Sequence, residues 1–260
     1  MSIILGIDVG GSGVKGAPVD LEAGDFATDR FRIPTPSEST PENVSDVIAD
    51  VIKHFAGDIG DDAPIGLTIP APVLHGRVPF IANLHKSWTG LDAESFFTER
   101  LGRHVTLVND ADAAGLAEVH FGAAAGHPGL VILTTLGTGI GSAMIYRGVL
   151  IPNSELGHLE IDGHDAETRA AASVKDKENI SYPEWAKRLQ RYYSHVEMLF
   201  SPDLFVVGGG VSKDSDKFLH LLDLKTPIIP AKMRNRAGIV GAALAARDAL
   251  DHPDPLHNAR

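Results

Sequence analysis

The chain has 260 residues, with 43% hydrophobic and 22% charged content, no cysteine and a formal net charge of −11. The missing cysteines exclude disulfides, cysteine nucleophiles and thiolate metal sites, and the negative charge argues against a nucleic-acid partner. No segment approaches the ~20 apolar residues of a membrane span, and Met1-Ser2-Ile3 leads into an apparent strand without a basic region or a long apolar stretch. We therefore expect a cytoplasmic protein with no membrane partner.

The first half of the chain alternates apolar runs with glycine-rich or polar breaks, which predicts an α/β fold. Strands are predicted at 3–9 and 14–19, on either side of the turn Gly10-Gly11-Ser12-Gly13. A helix is predicted after Thr40, because threonine is a good N-cap and Pro41 suits a first helical turn. Further along, the pattern predicts a strand at 64–67, a helix at 92–101, a strand at 104–108 and a helix at 111–121.

The second half begins with the same pattern of strand, glycine turn and strand. Residues 130–151 resemble residues 2–20 in this respect, which indicates an internal duplication. The later elements are predicted as a helix at 184–200, a strand at 204–207 and a helix at 237–250, with an irregular insertion at 160–181 and a loose tail at 251–260.

Three glycine-rich turns each follow an apolar strand, which is typical of a site for a multiply charged phosphate ligand. A glycine lacks Cβ, so backbone N–H groups can come close to phosphate oxygens. The first two turns also carry polar side chains, among them Thr134 and Thr135 just before the second. The candidate donor-binding residues are Asp8, Gly10, Gly11, Ser12, Gly13 and Lys15, then Gly137, Thr138 and Gly139, and finally Gly209 and Gly210.

Two acidic positions at predicted strand ends suggest metal binding and proton transfer. Asp8 is suited to hold Mg²⁺ directly or through water, because hard cations prefer oxygen ligands; the alternative is an aspartate that forms a turn. At Asn109-Asp110, the amide could hold a sugar hydroxyl while the carboxylate accepts the proton of an attacking hydroxyl. The alternative for this pair is a helix cap.

A third polar cluster comprises Glu155, His158 and Glu160, whose side chains suit hydrogen bonds to several sugar hydroxyls. A metal site is an alternative use of this region, and its candidate ligands are His158, His164, Asp162 and Asp165. A polar loop is the more common origin of such a group, and no cysteine can complete a structural zinc site. Trp88 either stacks on a sugar or anchors a loop in the core, and the sequence favours the core.

Five motifs in this order resemble the ROK family of sugar kinases, which has the two-lobed actin-like ATPase fold (ribonuclease H-like) of hexokinases. They are Asp8-Val9-Gly10-Gly11-Ser12-Gly13, Asn109-Asp110, Leu136-Gly137-Thr138-Gly139-Ile140-Gly141, Glu155-Leu156-Gly157-His158 and Val206-Val207-Gly208-Gly209-Gly210. The resemblance implies a small lobe of 1–110, completed by the helix at 237–250, and a larger lobe of 111–236. The turn at Gly209 and Gly210 looks like the nucleotide side.

Within the family the chain is most similar to the polyphosphate glucokinases of actinobacteria, on the segments 11–20, 86–88, 157–163 and 235–243. This similarity implies phosphoryl transfer from polyphosphate, and from ATP, to the 6-hydroxyl of glucose, with Mg²⁺ as cofactor and a homodimer as the assembly. Asp110 would be the general base. The implied glucose-binding residues are Asn109, Asp110, Glu155, His158 and Glu167. The zinc segment of most family members is missing, so no zinc is expected.

Three other functions remain open from the sequence. A strictly ATP-dependent glucokinase or mannokinase of the same fold would carry the same motifs. For a kinase of either kind the choice of hexose is open as well, because Pro70-Ala71 and His85 depart from the family pattern. A sugar-sensing repressor would need a DNA-binding domain before the first strand, which here begins almost at Met1. A structural nucleotide-binding protein would need neither the base nor the sugar cluster.

Overall fold

The computed structural model describes residues 3–252, which form two compact units. Unit 1 runs as far as Ala113 and resumes at Asn235, and unit 2 runs from Ala114 to Arg234. The lobe boundaries implied by the family resemblance stay a prediction. Residues 253–260 of the predicted tail lie outside the described residues.

The described chain contains short strands and helices in alternation. The strands are β1 (Ile3–Gly10), β2 (Gly13–Asp20), β3 (Asp25–Phe26), β4 (Phe31–Ile33), β5 (Ile65–Ile69), β6 (Val105–Asn109), β7 (Leu130–Leu136), β8 (Ile140–Tyr146), β9 (Val149–Ile151), β10 (Glu160–Ile161), β11 (His164–Asp165), β12 (Leu204–Gly208) and β13 (Ile228–Pro230). The α-helices are α1 (Pro41–His54), α2 (Ala93–Leu101), α3 (Asp110–His120), α4 (Glu167–Ala170), α5 (Ala172–Glu178), α6 (Tyr182–Phe200) and α7 (Ala237–Asp251).

The main sheets of the two units share one topology. In unit 1 the strand order is β3-β2-β1-β5-β6, with β4 also paired to β2, and in unit 2 it is β9-β8-β7-β12-β13. The hairpins β1–β2 and β7–β8 are antiparallel, whereas the pairs β1–β5, β5–β6, β7–β12 and β12–β13 are parallel. The predicted internal duplication is therefore confirmed at the level of strand order and direction.

Local sequence explains where α1 begins and which face it buries. The Thr40 side chain accepts a hydrogen bond from the backbone N–H of Asn43 at 3.3 Å, and Pro41 occupies the first turn. Val44, Ile48 and Val51 recur at helical spacing, and all three are fully buried in the core of unit 1. The predicted N-cap and buried face are confirmed.

The segment 160–181 is ordered, so the prediction of an irregular insertion was wrong. It holds the hairpin β10–β11, the four-residue α4 and the seven-residue α5. Elements of two to seven residues are too short to show a periodic apolar pattern. This segment carries several of the candidate site residues.

No helix within residues 3–252 combines the length and the apolar character that crossing a bilayer requires.

Candidate active site

One edge of the unit 1 sheet collects the polar candidates of that unit. The strands β1, β5 and β6 are parallel, with Asp8 opposite Thr68 and Ile69 opposite Asn109. The carboxyl ends of parallel strands meet at one edge, where α/β sheets commonly bind ligands. The first glycine turn, Asp8 and Asn109-Asp110 therefore share one edge of unit 1.

Asp8 is held in place by two neighbours on adjacent strands. Its Oδ2 accepts a hydrogen bond from Lys15 Nζ at 3.2 Å, and its Oδ1 accepts one from the Thr68 hydroxyl at 2.9 Å. Asp8 lies within β1, before the two-residue turn Gly11-Ser12, so it does not form that turn. Thr68 was missed from the sequence, although a hydroxyl near the end of a strand parallel to β1 is a usable signal.

The first glycine turn is braced through its carbonyl groups. The Thr35 hydroxyl donates to the carbonyl of Gly10 at 2.5 Å, and Arg32 Nη2 donates to the carbonyl of Ser12 at 2.7 Å. With those carbonyls bound inside the protein, the backbone N–H groups are the part of the turn suited to an anion. Arg32 also places a positive charge beside the turn, and the sequence reasoning missed it.

Asn109 and Asp110 lie where β6 ends and α3 begins. Asn109 Oδ1 accepts hydrogen bonds from the backbone N–H groups of Ala111 at 2.9 Å and Asp112 at 3.1 Å, and the residue is buried. The helix-cap alternative is therefore confirmed for this oxygen, and Nδ2 is the part of the amide that can donate to a sugar hydroxyl. Asp110 is exposed in the first turn of α3, where the helix dipole favours a negative charge.

In unit 2, the second glycine turn is braced in the same way. Gly137 N–H donates to the carbonyl of Gly139 at 3.0 Å. Ser173, at the start of α5, donates through its N–H to the carbonyl of Gly137 at 3.0 Å and through its hydroxyl to that of Thr138 at 2.6 Å. All three carbonyls of the turn are engaged and Gly137 N–H is bound internally, which favours the N–H groups of Thr138 and Gly139 for anion binding.

Glu167, one of the candidate sugar-binding residues, contacts the end of the second glycine turn. Its Oε2 accepts a hydrogen bond from the backbone N–H of Ile140 at 3.0 Å. A Cβ added at Gly139 would collide with the same carboxylate. Gly139 is thus required for the close approach of Glu167, and a candidate sugar ligand lies directly against a candidate donor turn.

The third turn lies at the same sheet edge as the second, because Gly208 pairs with Thr135 across the parallel strands β12 and β7. Gly209 has a φ of +82°, and an added Cβ would collide with the backbone of Leu136. Both facts require glycine there. Gly210 begins a 3₁₀ helix that ends at Lys217, and open space surrounds the position of its missing Cβ.

A titratable cluster forms around the Glu155-Leu156-Gly157-His158 motif. His158 Nδ1 and Asp165 Oδ2 are 2.8 Å apart, and this hydrogen bond raises the pKa of the imidazole above its ordinary value of 6.5. Burial raises the pKa of Glu155, to which the charge of Glu167 also contributes while that of His158 opposes it. Carboxylates and imidazole at this spacing can bind several hydroxyl groups.

Of the four candidate ligands of the alternative metal site, two are engaged by arginines and two stay together. Asp162 is bound by Arg191, and His164 accepts a hydrogen bond from Arg169. Within the described residues, one trio has ligand atoms that all lie within 4.8 Å of one another, namely His158, Asp165 and Glu167. Asp165 was not among the sugar candidates, although its spacing from His158 in a short loop could have indicated it.

Two side chains singled out from the sequence lie in the core. The Thr134 hydroxyl, one of the polar groups noted beside the second glycine turn, is fully buried and lies 2.6 Å from the Tyr193 hydroxyl. A residue inside a strand alternates between faces, and Thr134 is on the buried one. Trp88 is fully buried and donates through Nε1 to the carbonyl of Ser39 at 2.8 Å, which confirms the core alternative.

We expect His158→Gln to remove a pH-dependent contribution to stability. Because the folded pKa of His158 is raised, the pair with Asp165 contributes fully below pH 6.5 and is lost as the pH rises through the raised value. The pair is about half exposed, so the effect is less than about 1 kcal/mol, or about 4 °C in Tm. Tm measured at pH 5.5 and pH 9 checks this, with His220→Gln as control. An equal Tm difference at both pH values would contradict it.

The family model described as "ROK family" matches residues 4–177 of the chain. This match covers more than half of the chain. The protein belongs to the ROK family.

Individual relatives agree with this assignment along almost the whole chain. The polyphosphate glucokinase of Mycobacterium tuberculosis is 51% identical over 93% of this chain and 90% of that protein. The crystal structure of the inorganic polyphosphate/ATP-glucomannokinase from Arthrobacter sp. strain KM is 52% identical, with a TM-score of 0.90 over 97% of this chain and 100% of that one. The ROK family glucokinase from Streptomyces griseus, at 24% identity, covers 95% of this chain and 99% of its own with a TM-score of 0.80, which is a likeness of fold. The predicted α/β fold of the actin-like ATPase type is confirmed.

Proposed function

We propose that this chain is a polyphosphate-dependent glucokinase that transfers the terminal phosphoryl group of polyphosphate, and also of ATP, to the 6-hydroxyl of glucose. The observation that carries the proposal is 51–52% identity, over nearly the full length, to a polyphosphate glucokinase and a polyphosphate/ATP-glucomannokinase. The described residues supply each part that such a transfer needs: a carboxylate to accept the proton, side chains that can bind sugar hydroxyls, and glycine-rich turns that can bind phosphates.

In the proposed reaction, the glucose 6-oxygen forms a bond to the terminal phosphorus while the bond from that phosphorus to the bridging oxygen breaks. The Asp110 carboxylate accepts the proton of the attacking hydroxyl. Asn109 donates to a sugar hydroxyl through Nδ2, because its Oδ1 is occupied by the α3 cap. Glu155, His158 and Glu167 bind the other hydroxyls.

The donor phosphates are bound by the N–H groups of the turns at Gly10–Gly13 and Gly137–Gly139, with Gly209 and Gly210 on the nucleotide side. Lys15 supplies a positive charge beside the first turn. Asp8 fits Mg²⁺ through water better than directly, since the Lys15 ammonium already lies 3.2 Å from its Oδ2. When bound, Mg²⁺ would screen the negative charge of the phosphates.

A donor test separates this proposal from a strictly ATP-dependent kinase. Purified protein is treated with apyrase to remove nucleotides and then given glucose and long-chain polyphosphate, and glucose 6-phosphate is measured. Product is expected. No product from polyphosphate, together with product from ATP in a parallel sample, would leave ATP as the sole donor.

Gly210→Glu is expected to impair ATP use and leave polyphosphate use unchanged. The new side chain has open space and stands at a helix start, where a carboxylate is compatible with folding. It would raise KM for ATP by about fivefold or more, the factor that corresponds to about 1 kcal/mol of like-charge repulsion. Gly57→Glu is the control, because Gly57 also has open space. Equal increases in KM for both donors would contradict the nucleotide-side assignment.

We further propose that the enzyme is a cytoplasmic homodimer, as its composition and family resemblance favour. Exposed apolar side chains on the β8–β9 hairpin support an association surface, because β9 is an edge strand of its sheet. They are Tyr146, Val149 and Ile151. Light scattering of Val149→Asp should give the mass of one chain. Leu250→Asp is the control, because Leu250 is also an exposed apolar residue but lies in α7. This variant should keep the mass of two chains.

A further inference from the structure

Unit 2 contains a cavity that the proposed reaction does not use. The cavity has a volume of about 300 Å³ and lies among β10–β11, α4 and α6. This volume is at the lower end of the range of about 300–1,000 Å³ that is usual for small-molecule sites. It is lined by Ile161, Asp162, His164, Ala166, Arg169, Ala170, Lys187, Arg188, Arg191 and Tyr192.

The lining combines apolar side chains with several basic ones. Four of its side chains are cations, namely Arg169, Lys187, Arg188 and Arg191. The carboxylates that pair with them are Asp162, which accepts from Arg191 at 2.9 and 2.7 Å, and Glu178, which accepts from Arg188 at 2.5 Å. Positive charge is therefore in excess here, although the whole chain carries −11.

Three of these cations, the arginines, make hydrogen bonds to neighbouring groups, whereas the lysine does not. Arg188 also donates to the carbonyl of Arg169 at 3.2 Å, and Arg169 Nη2 donates to His164 Nε2 at 2.9 Å. Lys187 is exposed and makes no ion pair or hydrogen bond within the part of the chain described here. The nearby Glu184 is engaged by the Ser181 cap, through both the backbone N–H and the hydroxyl.

Tyr192 belongs to the lining but does not offer its hydroxyl to the cavity. The hydroxyl oxygen is buried away from solvent and has no hydrogen-bond partner among residues 3–252. The groups of the lining that can bind a ligand are therefore the four cations.

The cavity and the candidate sugar site share one short segment. Asp165 and Glu167 belong to the cluster with His158, whereas His164, Ala166 and Arg169 line the cavity. A ligand in the cavity would therefore affect the position of the segment that carries Glu167.

We propose that this cavity binds a phosphate-bearing anion at a site separate from the donor turns. Arginine and lysine side chains here offer hydrogen-bond donors, and phosphate oxygens are acceptors that match guanidinium groups in geometry. Two sources carry this chemistry: a distant part of the polymeric donor, which rests on the proposed function, and a small compound such as a sugar phosphate.

The test counts bound tripolyphosphate per chain by isothermal titration calorimetry at low ionic strength. Lys187→Glu should bind one molecule fewer than the wild type. Lys225→Glu, an equal charge change on another exposed lysine of unit 2, should match the wild type. This difference does not depend on whether the donor turns also bind the probe. Equal stoichiometry in the wild type and Lys187→Glu would overturn the proposal.

Kinetics then identify the source. If the polymer occupies the cavity, Lys187→Glu raises KM for long-chain polyphosphate at least threefold and leaves KM for ATP unchanged. If a small anion occupies it, both KM values stay unchanged while the calorimetric site for glucose 6-phosphate is lost. Either result supports an anion site at Lys187. Retention of every site for both probes would refute it.

Discussion

Asp110→Asn is expected to lower kcat for glucose 6-phosphate formation by about 10²–10⁴-fold, the usual contribution of a general base. An amide cannot accept the proton of the attacking hydroxyl, yet it has nearly the shape of the carboxylate. Asp110 lies exposed in the first turn of α3, so the change should leave the core undisturbed. Glucose should still bind, which calorimetry without a donor would measure.

The loss should be of similar size with polyphosphate and with ATP, because the base acts on the acceptor and not on the donor. Glu42→Gln is the matched control, since Glu42 is an exposed carboxylate in the first turn of α1. Its kcat should equal that of the wild type. A near-normal kcat for Asp110→Asn, or a loss with one donor alone, would remove Asp110 from the role of base.

Where a short run of sequence decides the structure, prediction succeeded. The Thr40-Pro41 start and the 3.6-residue spacing of Val44, Ile48 and Val51 define α1, and all of these act within one helix. The repeated pattern of strand, glycine turn and strand likewise indicated two related hairpins, and the sheet orders agree. Elements specified by their own residues are readable from a single sequence.

Contacts between distant residues could not be predicted in this way. The carboxylate of Glu167 binds Ile140 N–H across 27 positions, and Ser173 braces Thr138 across 35. Gly139 is predicted from the sequence to bind phosphate, and in the structure the absence of its side chain also leaves room for the Glu167 carboxylate. A glycine shows that space is required but not which neighbour requires it.

The basic residues of α6 show the same limit. Lys187, Arg188 and Arg191 are individually typical of a solvated helix face. Only the folded hairpin β10–β11 and α4 bring Arg169 and His164 opposite them, and that segment looked irregular in sequence. The cavity therefore follows from tertiary packing of elements too short to leave a pattern.

Glu167→Gln and Glu167→Ala should separate sugar binding from support of the donor turn. Both variants lose the carboxylate charge, so KM for glucose should rise by about 10- to 100-fold, as expected when a hydrogen bond to a charged group is lost. Glutamine keeps an acceptor oxygen for the N–H of Ile140, whereas alanine does not. KM for the donor should therefore rise with alanine and stay unchanged with glutamine.

This split would distinguish a sugar ligand from a residue with a purely structural role. Asp176→Ala is the control, because Asp176 is a 75% exposed carboxylate on the neighbouring α5 and pairs with Lys175 at 2.8 Å. It should change neither KM. If Glu167 only braced the turn, Glu167→Gln would bind glucose as the wild type does, and alanine would affect the donor alone. An unchanged KM for glucose in both variants would therefore exclude Glu167 from the sugar site.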